Sequence, residues 1–232
     1  MNEVMLSFSD VGVAFRRRLN PLSKKEPVLK GISFELFRGE SLGVIGRNGA
    51  GKSTLLKLLG DIIKPDTGTI TRSPKVKSQL LSLNLGFNKN LSGYDNTIMA
   101  LVTQGKSITQ AKSMAADVAK FGGVEHLLHQ PVGTYSSGER TRLGFSIAIN
   151  TSPDILLLDE VLGVGDKQFK KRSADELKKR VTSDQTVVLV SHSINTLKNL
   201  CDRVLWIEKG HVKMLAPTAE VIEKYTSESE TT

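Results

Sequence analysis

The sequence predicts an α/β fold that consists of an antiparallel β lobe, a mostly parallel core sheet and an inserted helical subdomain. Residues 1–46 alternate apolar and polar side chains in short runs, which is typical of antiparallel strands joined by turns. Residues 155–158 and 187–190 are continuous apolar runs, typical of parallel strands that are buried on both faces. Between these two regions, the stretch from about 93 to 150 has helical periodicity.

The individual elements follow from the same patterns. The predicted strands cover residues 5–8, 11–15, 32–36, 42–45, 68–71, 76–83, 155–158, 187–190, 204–207 and 211–215. The predicted helices cover residues 54–59, 109–120, 140–149, 166–181 and 193–201. Lys209-Gly210, between the last two strands, predicts a hairpin turn. Together these elements predict one domain over residues 1–226, with the helical subdomain inserted at about 90–150 and a frayed polar tail at 227–232.

Composition excludes several classes of protein. The single cysteine, Cys201, rules out an internal disulfide and fits a reducing compartment. No apolar run approaches the roughly 18 residues that a membrane span needs. The N-terminus shows no basic region followed by an apolar stretch, so we expect no secretory signal. The formal net charge of +8 favours anionic partners.

The sharpest cluster of positive charge is Arg16-Arg17-Arg18, which Lys24-Lys25 follow. Pro21 and its polar neighbours exclude a central strand in this segment. No aromatic residues interleave the charges, as a stacking platform for nucleic acid bases would require. Two interpretations stay open, namely a solvated basic loop and a segment that attracts anionic lipid headgroups.

Residues 46–53, Gly-Arg-Asn-Gly-Ala-Gly-Lys-Ser, fit the pattern G-x-x-x-x-G-K-[ST] of phosphate-binding loops. The glycines let the backbone curl with its N–H groups facing an anion. Lys52 can reach the outer phosphates, and the Ser53 hydroxyl can hold Mg²⁺. The apolar run 42–45 before the loop and the helical pattern 54–59 after it supply the strand–loop–helix context. The sequence therefore predicts binding of a nucleoside triphosphate with Mg²⁺.

Two carboxylates, Asp159 and Glu160, follow the apolar run 155–158. In a phosphoryl-transfer enzyme the first holds Mg²⁺, and the second can orient or deprotonate the attacking water. His192 follows another apolar run, at the sheet edge where ligands of open α/β folds bind. An imidazole at that place can form hydrogen bonds with a γ-phosphate and with the water. Glu160, His192 and Lys52 are therefore the predicted catalytic residues.

Ser136-Ser137-Gly138-Glu139 predicts a second anion-binding device, because this Ser-rich turn opens the helix 140–149. Hydroxyls and N–H groups at a helix N-terminus can face a phosphate. The same residues also make an ordinary N-cap. Two phosphate-binding devices in one chain suggest that a nucleotide is clamped between two copies of the protein.

In their order along the chain, these motifs closely resemble the ATP-binding-cassette (ABC) ATPases, which have the P-loop NTPase fold. Residues 46–53 resemble the Walker A motif, 155–160 the Walker B motif with its catalytic glutamate, and 136–139 the Leu-Ser-Gly-Gly-Gln signature. Asp166 falls at the D-loop aspartate, and His192 at the switch histidine. The resemblance implies Mg²⁺ ligands at Ser53 and Asp159. It implies ATP contacts at Phe15 (adenine stacking), Gly46, Asn48, Gly49, Ala50, Gly51, Lys52, Ser53, Thr54, Ser136, Ser137, Gly138, Glu139 and Asp166.

Finer details resemble the bacterial exporters of O-antigen, capsule or teichoic acid. Residues 135–139 are similar to their Tyr-Ser-Ser-Gly-Met turn, and residues 159–166, Asp-Glu-Val-Leu-Gly-Val-Gly-Asp, are similar to their Walker B and D-loop region. Residues 80–87 are similar to their Leu-Leu-Glu-Leu-Gly-x-Gly-Phe run. Two positions depart from the pattern. Glu139 replaces the usual Gln or Met, and Gln79 stands out of register with the glutamine at the family's lobe junction.

The resemblance implies an ATPase that drives export of a lipid-linked polysaccharide across the cytoplasmic membrane. It also implies a homodimer with two composite sites, two copies of a separate transmembrane permease subunit, and a peripheral position on the cytoplasmic face of the membrane. ATP and Mg²⁺ are the implied cofactors, and no nucleic acid partner is expected. Export of another cargo and a nucleic-acid-associated cassette ATPase stay as alternatives. The charge of +8 favours the latter, but a chain of 232 residues is not expected to hold its coiled-coil arms or a second cassette.

Overall fold

The computed structural model describes residues 3–16, 24–81, 86–151, 153–159, 166–181, 183 and 185–229. The chain forms two compact units. The first unit comprises Met1–Leu80, Pro153–Glu160 and Lys179–Thr232, and the second comprises Leu81–Ser152 and Val161–Lys178. Arg17, Arg18, the predicted catalytic Glu160, residues 161–165 and the lobe-junction positions 82–85 lie outside the described residues.

Strands and helices follow one another as an α/β fold. The strands are β1 (Val4–Phe15), β2 (Glu26–Phe37), β3 (Ser41–Ile45), β4 (Thr67–Arg72), β5 (Ser78–Leu81), β6 (Ile155–Asp159), β7 (Thr186–Val190), β8 (Arg203–Glu208) and β9 (His211–Pro217). The helices are α1 (Lys52–Leu59), α2 (Gly93–Thr103), α3 (Ile108–Gly122), α4 (Ser137–Ile149), α5 (Lys167–Val181), α6 (Ile194–Leu200) and α7 (Thr218–Ser229). None of the helices in the described ranges is long and apolar enough to cross a membrane.

The first unit contains a three-stranded antiparallel sheet of order β2-β1-β4. The sequence predicts separate strands at residues 5–8 and 11–15, whereas the structure has the single long strand β1. A register shift between Phe8 and Val11 marks the interruption, and Asp10 adopts φ 52° there. Aspartate tolerates the left-handed region, and a bulge of this kind bends a strand without ending it. The predicted antiparallel lobe is therefore confirmed, with two of its strands merged into one.

The second sheet of the first unit has six strands in the order β5-β6-β7-β3-β8-β9. Strands β6, β7, β3 and β8 pair in parallel, and β9 returns antiparallel beside β8. Every residue of β3 and β7 is buried, as expected for parallel strands with both faces covered. The predicted hairpin at Lys209-Gly210 joins β8 to β9, and both of its residues have positive φ. The predicted mostly parallel sheet is therefore confirmed.

Each unit has a hydrophobic core of its own. In the first unit the core contains side chains from both sheets and from α1. In the second unit, helices α2, α3 and α4 pack on one another around Leu101, Val118 and Leu143. Phe145 on α4 also contacts Phe169 on α5, with ring centroids 5.5 Å apart. This aromatic contact ties the start of α5 to the other helices of the second unit.

The largest difference from the predicted elements is α7, which is not among them. Its Ile222 is buried, and Tyr225 packs edge-on against Trp206 of β8, with ring centroids 5.1 Å apart. Val221, Ile222 and Tyr225 have the spacing of one helix face, so a short helical pattern is present in this part of the sequence. The prediction of a frayed tail is wrong for residues 227–229, which are helical. Residues 230–232 lie outside the described residues.

Candidate active site

Several predicted site residues of the first unit meet at one edge of its six-stranded sheet. Strands β6, β7 and β3 are parallel neighbours, and their register aligns Asp159 with Val190 and Val190 with Val44. The segments that follow Val44 of β3 and Val190 of β7 therefore leave the sheet on the same side. They are the phosphate loop after β3 and His192 after β7. Ligands of open α/β sheets bind at this carboxyl edge.

The phosphate loop, residues 46–53, needs glycine at two positions for steric reasons. A Cβ atom on Gly46 would lie 2.3 Å from the carbonyl oxygen of Ile207 in β8. A Cβ atom on Gly51 would lie 2.5 Å from Leu29 Cδ2, and Gly51 has φ 107°, which residues with a side chain rarely adopt. The loop can pass this close to its neighbours only because these two side chains are absent.

We expect Gly46→Ala to destabilise the protein more than Gly49→Ala in the same loop. At Gly46 the obstacle is a backbone oxygen that cannot swing aside, so the overlap should lower the free energy of unfolding by about 1–3 kcal/mol. At Gly49 no heavy atom lies within 4 Å of the added Cβ, and the cost comes only from its φ of 79°. Chemical denaturation of both variants measures the difference. Equal losses would contradict the close contact between the loop and β8.

The buried charged group of the loop is Lys52, at which α1 begins two residues earlier than predicted. No side chain caps this helix, because its N-cap residue is Gly51, and an uncapped helix N-terminus favours an anion. Lys52 is only 8% exposed. Its Nζ donates hydrogen bonds to the carbonyl oxygens of Gly46 at 2.8 Å and Arg47 at 3.2 Å. The ammonium group therefore lies within the curl of the loop, where the predicted phosphates would bind.

The predicted metal ligands, Ser53 and Asp159, are in contact. Ser53 Oγ donates a hydrogen bond to Asp159 Oδ2 at 3.1 Å, which joins the phosphate loop to the end of β6. Among the described residues, no group of three or more His, Cys, Asp and Glu side chains could hold a metal ion. Mg²⁺ is usually bound through one or two protein oxygens together with phosphates and water. The hydroxyl and the carboxylate therefore fit a magnesium ion that binds together with a phosphate.

A cleft of about 580 Å³ lies over these groups. It is lined by Val28, Asn48, Gly49, Gly51, Lys52, Ser53, Thr54, Asp159 and His192. Among the described residues that line the cleft, Val28 is the one that the sequence does not predict. It lies on β2 and reaches the cleft through the pairing of that strand, so no local motif marks it. The other lining residues are predicted site residues, and the structure brings them together.

Three further predicted residues of the first unit, Gly46, Ala50 and Phe15, are not part of this lining. Gly46 and Ala50 belong to the same loop and shape its backbone. Phe15 ends β1, with 45% of the residue exposed. Glu160 directly follows Asp159 in the chain but lies outside the described residues, so its catalytic role stays a prediction.

The predicted signature turn belongs to the second unit and forms the N-cap of α4. Ser136 Oγ accepts a hydrogen bond from the Glu139 N–H at 3.2 Å, and the Glu139 carboxylate accepts from the Ser136 N–H at 2.7 Å and its hydroxyl at 2.8 Å. This capping box places Ser137 and Gly138 inside the helix, which starts three residues earlier than predicted. The two hydrogen bonds from Ser136 hold the pKa of Glu139 below its usual range. The turn therefore presents a charged carboxylate at neutral pH.

Asp166, the predicted D-loop aspartate, precedes α5 and also lies in the second unit. Its Oδ1 accepts a hydrogen bond from the Phe169 N–H at 2.9 Å, and its Oδ2 lies 3.4 Å from Arg142 Nη1 on α4. The hydrogen bond from Phe169 and the nearby Arg142 hold the pKa of Asp166 below its usual range. Asp166 is thus connected through Arg142 to α4, the helix whose N-terminus the signature turn caps.

Comparisons with known proteins extend the likeness from motifs to the whole fold. A family model described as ABC transporter matches residues 29–163. The teichoic acids export ATP-binding protein TagH of Shouchella clausii is 40% identical over 85% of this chain and 54% of its own length. The O-antigen export system ATP-binding protein RfbB of Myxococcus xanthus is 36% identical over 85% of this chain and 45% of its own length. This chain thus spans about half the length of these relatives.

A solved structure supports the same assignment of fold. It is a dimeric ATP-binding cassette in a post-hydrolysis state, bound to ADP and Pi. Its TM-score is 0.77 at 20% sequence identity, and the match covers 92% of this chain and 99% of that chain. The α/β fold of an ABC ATPase cassette is therefore confirmed.

Proposed function

The chain belongs to the ABC transporter family, and we propose that it is the ATP-hydrolysing subunit of an exporter of lipid-linked polysaccharide across the cytoplasmic membrane. The observation that carries the proposal is the cleft of the first unit, which is lined by the phosphate loop, Asp159 and His192. The relatives named for export of teichoic acids and O-antigen support the cargo class. Polymers of the O-antigen, capsule and teichoic acid types belong to this class.

ATP would bind with its phosphates in the loop and with Mg²⁺ beside them. Lys52 already lies within the loop, so its ammonium can neutralise the outer phosphates without a large rearrangement. Ser53 and Asp159 would hold Mg²⁺, which neutralises phosphate charge when it is bound. His192 lines the cleft at the end of β7, where it can hold the γ-phosphate and the water. Glu160 would accept the proton of that water as a general base.

The adenine base would stack on Phe15. Nearly half of this residue is exposed at the end of β1, which is unusual for a large apolar side chain in the first unit. An exposed aromatic ring offers a flat face for a base, and stacking of this kind tolerates small changes of geometry.

A second copy of the chain would complete each site. The signature residues Ser136, Ser137, Gly138 and Glu139 belong to a different unit from the one that carries the cleft. We propose that the hydroxyls and N–H groups of Ser136, Ser137 and Gly138 face the γ-phosphate bound by the opposite subunit, with Asp166 beside them. The ionised Glu139 carboxylate would hold the turn through its hydrogen bonds with Ser136. Closure of the homodimer around ATP, and reopening after hydrolysis, would drive two copies of a separate transmembrane permease subunit. The chain would act at the cytoplasmic face of the membrane, without a nucleic acid partner.

Purification from native membranes tests this function. The tagged chain, extracted in a mild detergent, is expected to bring with it an integral membrane protein in equal amount. ATPase activity of that complex should rise with lipid-linked polysaccharide and not with the lipid carrier alone. A Lys52→Ala complex controls for contaminating ATPases. A chain that purifies without a membrane protein, and whose ATPase is stimulated by DNA, would support the nucleic acid alternative instead.

A further inference from the structure

We propose that Asp66 is a positioning residue for base recognition, because its carboxylate fixes the end of β1 and thereby the place of Phe15. The inference rests on the proposed function, since it takes Phe15 as the ring that stacks on adenine. Asp66 lies between α1 and β4, outside every motif described above and outside the lining of the cleft.

The end of β1 is held by fewer strand contacts than the rest of that strand. The pairing of β1 with β4 ends at Gly12 and Thr67, whereas β1 continues to Phe15. On its other side, β1 stays paired with β2 to its end, since Ala14 lies opposite Pro27 and Phe15 lies opposite Glu26. The segment that carries the aromatic ring is therefore held by a strand on one side only, and the Ala14 N–H on the other side needs an acceptor from outside the sheet.

Asp66 supplies such contacts with both of its carboxylate oxygens. Its Oδ2 accepts a hydrogen bond at 2.8 Å from the Ala14 N–H, the amide directly before Phe15. Its Oδ1 accepts one at 2.5 Å from Lys25 Nζ, next to the first residue of β2. The N–H of Asp66 donates to the Gly12 carbonyl oxygen at 2.8 Å, which attaches Asp66 to the same strand. One carboxylate thus joins the end of β1 to the start of β2.

The charge of Asp66 strengthens this arrangement. The hydrogen bonds from Lys25 and from the Ala14 amide hold the pKa of Asp66 below its usual range, so the carboxylate is ionised at neutral pH. Hydrogen bonds to an ionised acceptor are shorter and stronger than neutral ones. Phe15 pairs with Glu26 across the strands. Phe15 directly follows Ala14, and Glu26 directly follows Lys25, the two residues that donate to Asp66. Loss of the Asp66 carboxylate is therefore expected to displace the Phe15 ring by releasing the backbone of Ala14.

Phosphate binding and base recognition are then separable within the first unit. The phosphates contact the loop after β3, whereas the base contacts the end of β1. Loss of the Asp66 carboxylate should weaken only the part of the ATP affinity that depends on adenine.

The test compares the Kd for ATP with the Kd for inorganic triphosphate, which has no base. Stacking of a base on an aromatic side chain contributes roughly five- to 150-fold in affinity, and imperfect placement loses part of that factor, so we expect Asp66→Ala to weaken ATP binding about fivefold. Binding of triphosphate should not change. Asp66→Asn keeps an acceptor for the Ala14 amide and should show a smaller loss of ATP affinity. Thermal melting establishes that each variant is folded.

Two further variants separate positioning from a general structural effect. In a Phe15→Ala background, Asp66→Ala should have no additional effect on ATP binding, because the ring through which Asp66 acts is gone. Asp61→Asn is the matched control, since Asp61 pairs with Lys64 on the same connection between α1 and β4. It should leave both Kd values unchanged.

Three results would overturn the inference: unchanged ATP binding in Asp66→Ala, an equal loss for triphosphate, or an equal loss with and without Phe15. Failure of the proposed function looks different: without an ATP site the unmodified chain would bind neither ATP nor triphosphate, whereas a different cargo or partner would leave all of these Kd values as expected.

Discussion

Glu160→Gln is expected to bind ATP as tightly as the unmodified protein and to hydrolyse it roughly 10²–10⁴-fold more slowly, the usual contribution of a general base. Such a loss corresponds to an increase of about 3–5 kcal/mol in the activation barrier. Asp159 ends β6 in contact with Ser53, at the edge where the phosphates would bind, and Glu160 is the next residue in the sequence. The amide keeps the size of the carboxylate but cannot take up the proton of the water.

The same variant should accumulate as an ATP-bound dimer, because hydrolysis is the step that reopens the proposed clamp. Size-exclusion chromatography with ATP and Mg²⁺ measures the dimer, and phosphate release measures turnover. Glu35→Gln, at an exposed position on β2, controls for the loss of one surface charge and should change neither quantity. A Glu160→Gln protein that stays monomeric and turns over at the unmodified rate would remove Glu160 from its assigned role.

The parts of the site that the sequence predicts are those whose chemistry is local in the chain. The phosphate loop is a run of consecutive residues between a strand and a helix, so one pattern contains both its glycines and its lysine. Asp159 can be recognised because it ends a continuous apolar run that forms β6. Ser136 and Glu139 are three residues apart, and this spacing is the sequence signature of the capping box that the structure shows.

Contacts between distant parts of the chain could not be predicted in this way. Val28 lines the cleft, but a valine on a strand carries no chemical signature. Asp66 bonds the amide of Ala14, 52 positions away, and no periodicity encodes that pairing. Asp10 looks like a turn residue in the sequence, whereas its positive φ forms a bulge within β1. Patterns of burial determine the fold class, but register and side-chain placement depend on tertiary contacts.

The second large effect is expected at the signature turn, where Ser136→Arg should abolish ATP hydrolysis. A long cationic side chain at this position would block closure onto the phosphates of the opposite subunit. The substitution also removes the N-cap of α4, which lowers the free energy of unfolding by about 1 kcal/mol. Ser107→Arg is the matched control, because Ser107 caps α3 with Gln110 in the same kind of capping box. It should lose similar stability and retain ATPase activity.

Combination of two damaged subunits then tests whether each site is built from two chains. Lys52→Ala removes the charge that lies within the phosphate loop, the other half of the proposed site. A co-expressed, differently tagged heterodimer of Ser136→Arg and Lys52→Ala would have one site with both substitutions and one with neither. It should show ATPase activity that both mutant homodimers lack, provided that one intact site can turn over alone. Because each homodimer carries its damage in both sites, recovered activity can come only from a site shared by two chains. A Ser136→Arg homodimer that hydrolyses ATP at the unmodified rate would refute the contact between this turn and the nucleotide, and with it the two-chain site.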